Sequence, residues 1–212
     1  MISMLYFLRN VQEARMKKGA VNDSETIQKN EVDAIVRKLC VSYSGIRRMF
    51  SLRESAINLA LDEQKVTEAI RYMVKVYGLS TEFVKRVGYS ASIPSPAALQ
   101  MEFLGINPKP VRGTMFFQQA RISLCDMPRY RLLHIIAHEL AHARMYYDMH
   151  ELSKSEFATD VLALLATGNA REYSENMHAE TSYYVEQHGY IRHELHEEVF
   201  RCLAKYAPAI YL

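Results

Sequence analysis

One short segment of the chain combines residue types and spacing suited to a metal ion: His138-Glu139-Leu140-Ala141-His142. On a helix, residues four apart lie one turn above each other, so both imidazoles can reach one ion. Neutral imidazole suits zinc, whose sites favour tetrahedral nitrogen, sulfur and oxygen donors. Glu139 sits beside the first histidine, close enough to contact a metal-bound water. Zinc lowers the pKa of such a water toward about 7, and a neighbouring carboxylate can take its proton. The pattern therefore points to metal-assisted hydrolysis, with His138 and His142 as ligands and Glu139 as general base.

This chemistry requires a helix, and the flanking residues provide one. Leu132, Leu133, Ile135, Ile136, Ala137, Leu140 and Ala141 surround the motif, and the spacing predicts a helix from Arg129 to about Tyr147. An ordinary histidine pair beside a solvated glutamate on a surface helix is the rival reading. It fits poorly, because two histidines and a glutamate on a core-facing helix are costly without a partner. Just upstream, Thr114–Phe117 and Ala120–Leu124 are rich in β-formers and predict a hairpin. A second helix is expected from about Ser155 to Thr167, closed by Gly168-Asn169.

A catalytic zinc takes three protein ligands and keeps one position open. The best-placed third donor is Glu156, in Glu156-Phe157-Ala158-Thr159-Asp160. An HExxH followed by this segment resembles the gluzincin metallopeptidases, whose thermolysin-like members carry an ExxS/T-D helix. The resemblance implies that Glu156 binds zinc and that Asp160 orients the ring of His138. It spans roughly residues 113 to 168, and the order of hairpin, HExxH helix and acidic helix also looks like the ImmA/IrrE-type minimal gluzincins. Those are small intracellular peptidases, some of which cleave transcriptional repressors. The connector from His142 to Glu156 is shorter than in thermolysin-like enzymes, and their downstream substrate domain is not found here.

Glu156 has a rival role. Ser153-Lys154-Ser155-Glu156 fits a capping box with Ser153 as N-cap. Rival ligands exist too. Asp148 occupies the third-ligand position of a metzincin pattern, but Met145 stands where that pattern needs glycine; His150 and Glu151 lie in the connector. For the oxyanion of a tetrahedral intermediate, His188 and Tyr190 flank a helix break at Gly189 and are the candidate stabilisers.

The rest of the chain bounds these expectations. Its 212 residues, 49% of them hydrophobic, can bury a real core. With 26 basic and 24 acidic residues the net charge is +2, which argues against a nucleic-acid polyelectrolyte partner. Cys40, Cys125 and Cys202 are scattered and form no CxxC, so reduced thiols in a cytoplasmic setting are expected in place of a disulfide framework. The opening MISMLYFLRN follows no basic segment and reads as buried structure, not a signal peptide. No stretch approaches the length needed to cross a bilayer, so no membrane partner is expected.

Helical spacing recurs between Glu31 and Tyr77, at Val32, Ile35, Val36 and Leu39 and again at Val66, Ile70, Met73 and Val74. Gly78 closes this region. Helices around Val32–Tyr43, Leu52–Ala60 and Lys65–Tyr77 would also suffice for a small helix-turn-helix. Residues 88 to 113 hold four of the six prolines and read as a connector with short extended pieces. The expected organisation is a helical region over 1–87 and an α+β, zincin-like catalytic domain over 88–212, with a small sheet against the HExxH helix and further helices at both ends. The expected activity is zinc-dependent hydrolysis of a peptide or protein substrate, with the strand Thr114–Phe117 as an edge for an extended substrate. The alternatives are a regulatory or binding module with a structural or vestigial metal site, acting on a repressor, toxin or nucleic acid, and a metal-free helical interaction domain.

Overall fold

A computed structural model describes residues 27–46, 63–90, 92–93, 97–104, 109–117, 129–168 and 193–208. The described elements are, in chain order, α1 (Lys29–Ser42), α2 (Glu63–Val76), β1 (Val84–Tyr89), β2 (Ala97–Phe103), β3 (Pro110–Phe117), α3 (Arg129–Tyr147), α4 (Glu156–Thr167) and α5 (His193–Tyr206). The fold is α+β. Among the described residues no helix is long and apolar enough to cross a membrane.

Helix α1 buries Val32, Val36, Leu39 and Cys40, one stripe at helical spacing, and Glu31 accepts the Gln28 N–H at its start. It packs against α4 and α5. Helix α2 buries Val66, Ile70, Met73 and Val74. It stops at Gly78, whose φ of 63° suits a residue without Cβ, while Leu79 N–H reaches back to Val74 O at 3.0 Å. It lies against α3 and β1.

The sheet has three strands in the order β1-β3-β2, with β1 parallel and β2 antiparallel to β3. Alternation on β3 turns Gly113, Met115 and Phe117 inward. Two expectations change here. The hairpin partner of β3 is β2, upstream of it; the downstream segment Ala120–Leu124 lies outside the described residues. Thr114–Phe117 is not an edge but the centre of the sheet, and the edge beside α3 belongs to β2.

Helix α3 has the bounds read from the sequence. Ile136, Ala137, Leu140, Ala141, Ala143 and Met145 are fully buried, so it is an interior helix with apolar contacts on several sides. It ends at Met149, which holds φ 53°, and His150 N–H returns to Met145 O at 2.9 Å. Helix α4 is buried from Phe157 through Thr167 and ends at Gly168 in the left-handed conformation. One continuous core joins side chains of α1, α2, the sheet, α3, α4 and α5, and the boundary expected between residues 87 and 88 falls inside β1.

Candidate metal centre

Helices α3 and α4 run antiparallel and bring two short polar ladders together. On α3, His134, His138 and His142 follow one another at four-residue steps; on α4, Glu156 and Asp160 do the same. The carboxylates interleave with the rings. His142 Nε2 lies 3.4 Å from Glu156 Oε2, and His138 Nε2 lies 3.1 Å from the same oxygen. Asp160 Oδ1 then sits 2.7 Å from His138 Nδ1 and 3.2 Å from His134 Nε2.

The start of α4 explains why Glu156 is available. The N-cap is Ser155, whose hydroxyl accepts the Ala158 N–H at 3.1 Å. Glu156 is thus the first helical residue and takes no part in the capping box expected with Ser153. Its side chain is 56% exposed, whereas those of His138 and His142 are 13% and 18% exposed. The site is therefore walled on the helix side and open on the Glu156 side.

The outward nitrogens of His138 and His142, with the Glu156 carboxylate, could hold a metal ion. His138 donates from Nδ1 to Asp160, and His142 Nδ1 faces the Thr159 hydroxyl at 3.4 Å while that hydroxyl donates to Ser155 O. Each Nδ1 is so occupied, which leaves Nε2 of both rings to converge with the Glu156 carboxylate. The three donor atoms lie within 4.8 Å of one another. Zinc bonds of about 2.0–2.1 Å in a tetrahedron place donors roughly 3.3–3.4 Å apart. The two measured separations from Glu156, 3.1 and 3.4 Å, fall close to that value. A second group, His134, His138 and Asp160, is also close enough to hold an ion. Its contacts of 2.7 and 3.2 Å, like that of 3.1 Å between His138 Nε2 and Glu156, lie in hydrogen-bond range, but His134 and Asp160 are buried whereas Glu156 is exposed.

Glu139 points to the sheet side of the motif. The backbone N–H of Leu99, on the edge strand β2, donates to its Oε2 at 2.9 Å. Burial pushes the Glu139 carboxyl above its ordinary range, against the pull of His138 and His142. Burial pulls the His138 imidazole down, but Asp160 and Glu156 outweigh it and hold the ring well above the ordinary histidine value. The same ion pairing keeps Asp160 and Glu156 ionised below the usual carboxylate range despite their own desolvation.

The second side of α3 is anchored by Tyr77, just past the end of α2. Tyr77 donates its hydroxyl to Ala137 O at 2.8 Å, and Arg144 donates from Nη1 to Tyr77 O at 2.8 Å. The helical front region thus grips α3 on both sides of the motif. The rival ligands lie elsewhere: Asp148 accepts from Arg144 Nε at 2.7 Å, His150 Nδ1 accepts the Leu152 N–H, and Glu151 pairs with Lys38. His188 and Tyr190 lie outside the described residues. Sequence reasoning missed His134, Leu99 and Tyr77. Only His134 carried a signal, its position one turn before His138. The chain matches no family model, no curated protein and no solved structure.

Proposed function

We propose that the chain is a zinc-dependent peptidase with a zincin-like, gluzincin-type site, in which His138, His142 and Glu156 hold the metal. The observation that carries this reading is the convergence of His138 Nε2, His142 Nε2 and Glu156 Oε2 within 4.8 Å, with Glu139 adjacent in the same helix. Three donors with one open side suit a catalytic zinc better than a closed structural one. When bound, zinc supplies Lewis-acid polarisation of a carbonyl and of a water.

The protein's own groups divide the remaining work. Asp160 fixes the His138 ring so that Nε2 faces outward. Glu139 acts as general base. Its Oε2 is held by Leu99 N–H, so Oε1 is the atom left to take a proton from the attacking water and pass it to the departing amine. The substrate is an extended peptide segment. The outer edge of β2 runs past the base, and an added strand there would bring a backbone carbonyl to the site.

The test is zinc binding joined to hydrolysis. Purified protein is expected to take up one zinc and to cleave a peptide library in a chelator-sensitive way. Glu139→Gln keeps an acceptor for Leu99 and should retain zinc while losing about 10²–10⁴-fold in rate. Undiminished cleavage by Glu139→Gln would remove Glu139 from the mechanism. Absence of zinc uptake by the wild type would remove the metal centre altogether.

A further inference from the structure

We propose that His134 is a positioning residue of the metal centre: it pins the Asp160 carboxylate that orients His138, and does so without touching the metal. This inference rests on the metal-centre reading above.

The argument begins with Asp160, which is fully buried on α4. Rotation of a carboxylate about its terminal torsion is soft, so an isolated carboxylate is poorly fixed. Among the described residues Oδ2 has no hydrogen-bond partner. The orientation of the group is therefore carried by Oδ1, and Oδ1 accepts from two rings of one helix, His138 Nδ1 at 2.7 Å and His134 Nε2 at 3.2 Å. Those rings stand one turn apart on α3, so the oxygen is wedged between successive turns. With His138 alone, the carboxylate could turn Oδ2 toward the ring or swing off it. With His134 in place, such a turn forfeits a second hydrogen bond in a site that water does not reach.

His134 is 2% exposed, and its buried imidazole is one that an apolar core has no need of. It also continues the ladder of the two metal-facing rings, one step deeper. The arrangement is thus a chain of contacts from His134 through Asp160 to His138, ending at the Nε2 that faces Glu156. The route from this group to the metal-facing ring runs by way of Asp160, and that route is what makes the idea testable.

The experiment measures zinc affinity of the full-length protein by competition with a chelator, for wild type, His134→Phe, His134→Gln, Asp160→Asn and the double variant Asp160→Asn/His134→Phe. His134→Phe is expected to weaken zinc binding about 10-fold, the lower end of the range for outer partners of metal ligands. His134→Gln, whose amide N–H can stand where Nε2 stood, should restore most of that loss. In the Asp160→Asn background, where the acceptor that His134 pins is neutral and the bond weaker, His134→Phe should cost clearly less than in the wild type. An equal loss in both backgrounds, or a His134→Gln no better than His134→Phe, assigns His134 to general packing and overturns the proposal. Should His134→Phe not fold, His134→Asn, whose shorter amide stops short of Asp160, takes its place with the same expected loss. Unchanged zinc affinity in the folded variants sinks only the role of His134. A wild type that binds no zinc sinks the metal centre with it.

Discussion

Replacing Asp160 by asparagine removes one charge and almost nothing else. The amide is the same size, and its carbonyl oxygen can still accept the 2.7 Å bond from His138 Nδ1. What is lost is the charge on the acceptor of two buried hydrogen bonds. A bond to a charged group contributes about 1.5–3 kcal/mol and a neutral one about 0.5–1.5, so each weakens by roughly 1 kcal/mol and the pair by about 2. Loss of an outer partner of a metal ligand costs about 10–100-fold in metal affinity, or roughly 1.4–2.8 kcal/mol, which is the same scale. Folding stability at a single pH is the wrong readout, because removing a buried charge also relieves its desolvation. The assay is zinc competition with a chelator on wild type and Asp160→Asn, with circular dichroism to show that both are folded. Zinc affinities equal within about twofold would show that the Asp160 contact does not support His138 as a ligand.

Other expectations follow from the same geometry. Glu156→Gln should keep α4 intact, since Ser155 carries the cap, and should lower zinc occupancy; full occupancy on metal analysis would move the third donor elsewhere. Met149 is 64% exposed yet holds φ 53°, so Met149→Gly should stabilise the protein by about 1 kcal/mol in urea unfolding. A loss of stability there would mean that the Met149 side chain outweighs its backbone strain. Finally, the metal-free protein should show a pH window. His138 is raised when folded, so its contribution is fully present below the ordinary value of 6.5 and is lost as pH climbs through the folded value. Asp160 is lowered when folded, so its contribution is present above 3.8 and is lost as pH falls. Thermal midpoints of wild type minus Asp160→Asn, measured in chelator, should therefore peak between those limits, and a difference independent of pH counts against the pairing.

The parts of this protein that could be read from sequence are those set by local pattern. The bounds of α3 follow from its apolar flanks, and the end of α4 from Gly168, because helix period and caps are local properties. The sheet was less legible. β3 announces itself through Thr114-Met115-Phe116-Phe117, but β2 is Ala97-Ala98-Leu99-Gln100-Met101-Glu102-Phe103, poor in β-branched residues and sited among prolines. β1 pairs with β3 in parallel across the intervening β2, and no short-range signal encodes a partner so far along the chain. In the site, the HExxH motif was visible because its spacing is helical, and Glu156 because Glu156-Phe157-Ala158-Thr159-Asp160 resembles the gluzincin ExxS/T-D segment. His134 was not, since its meaning depends on Asp160 approaching from another helix. Leu99 contributes a backbone N–H, which no side-chain motif records.

The interleaved rings and carboxylates also bear on how α3 and α4 find each other. Both helices are apolar on most sides, and grease alone would let one slide along the other by a turn, about 5.4 Å, with little change in buried area. A slide that carried Asp160 past His134 would leave it in the interior and unpaired, which a buried carboxylate cannot tolerate, and the opposite slide would carry Glu156 past His142. The same residues that are suited to gripping an ion therefore serve as a ratchet for assembly. A chain built this way would settle its helix alignment before any ion arrives.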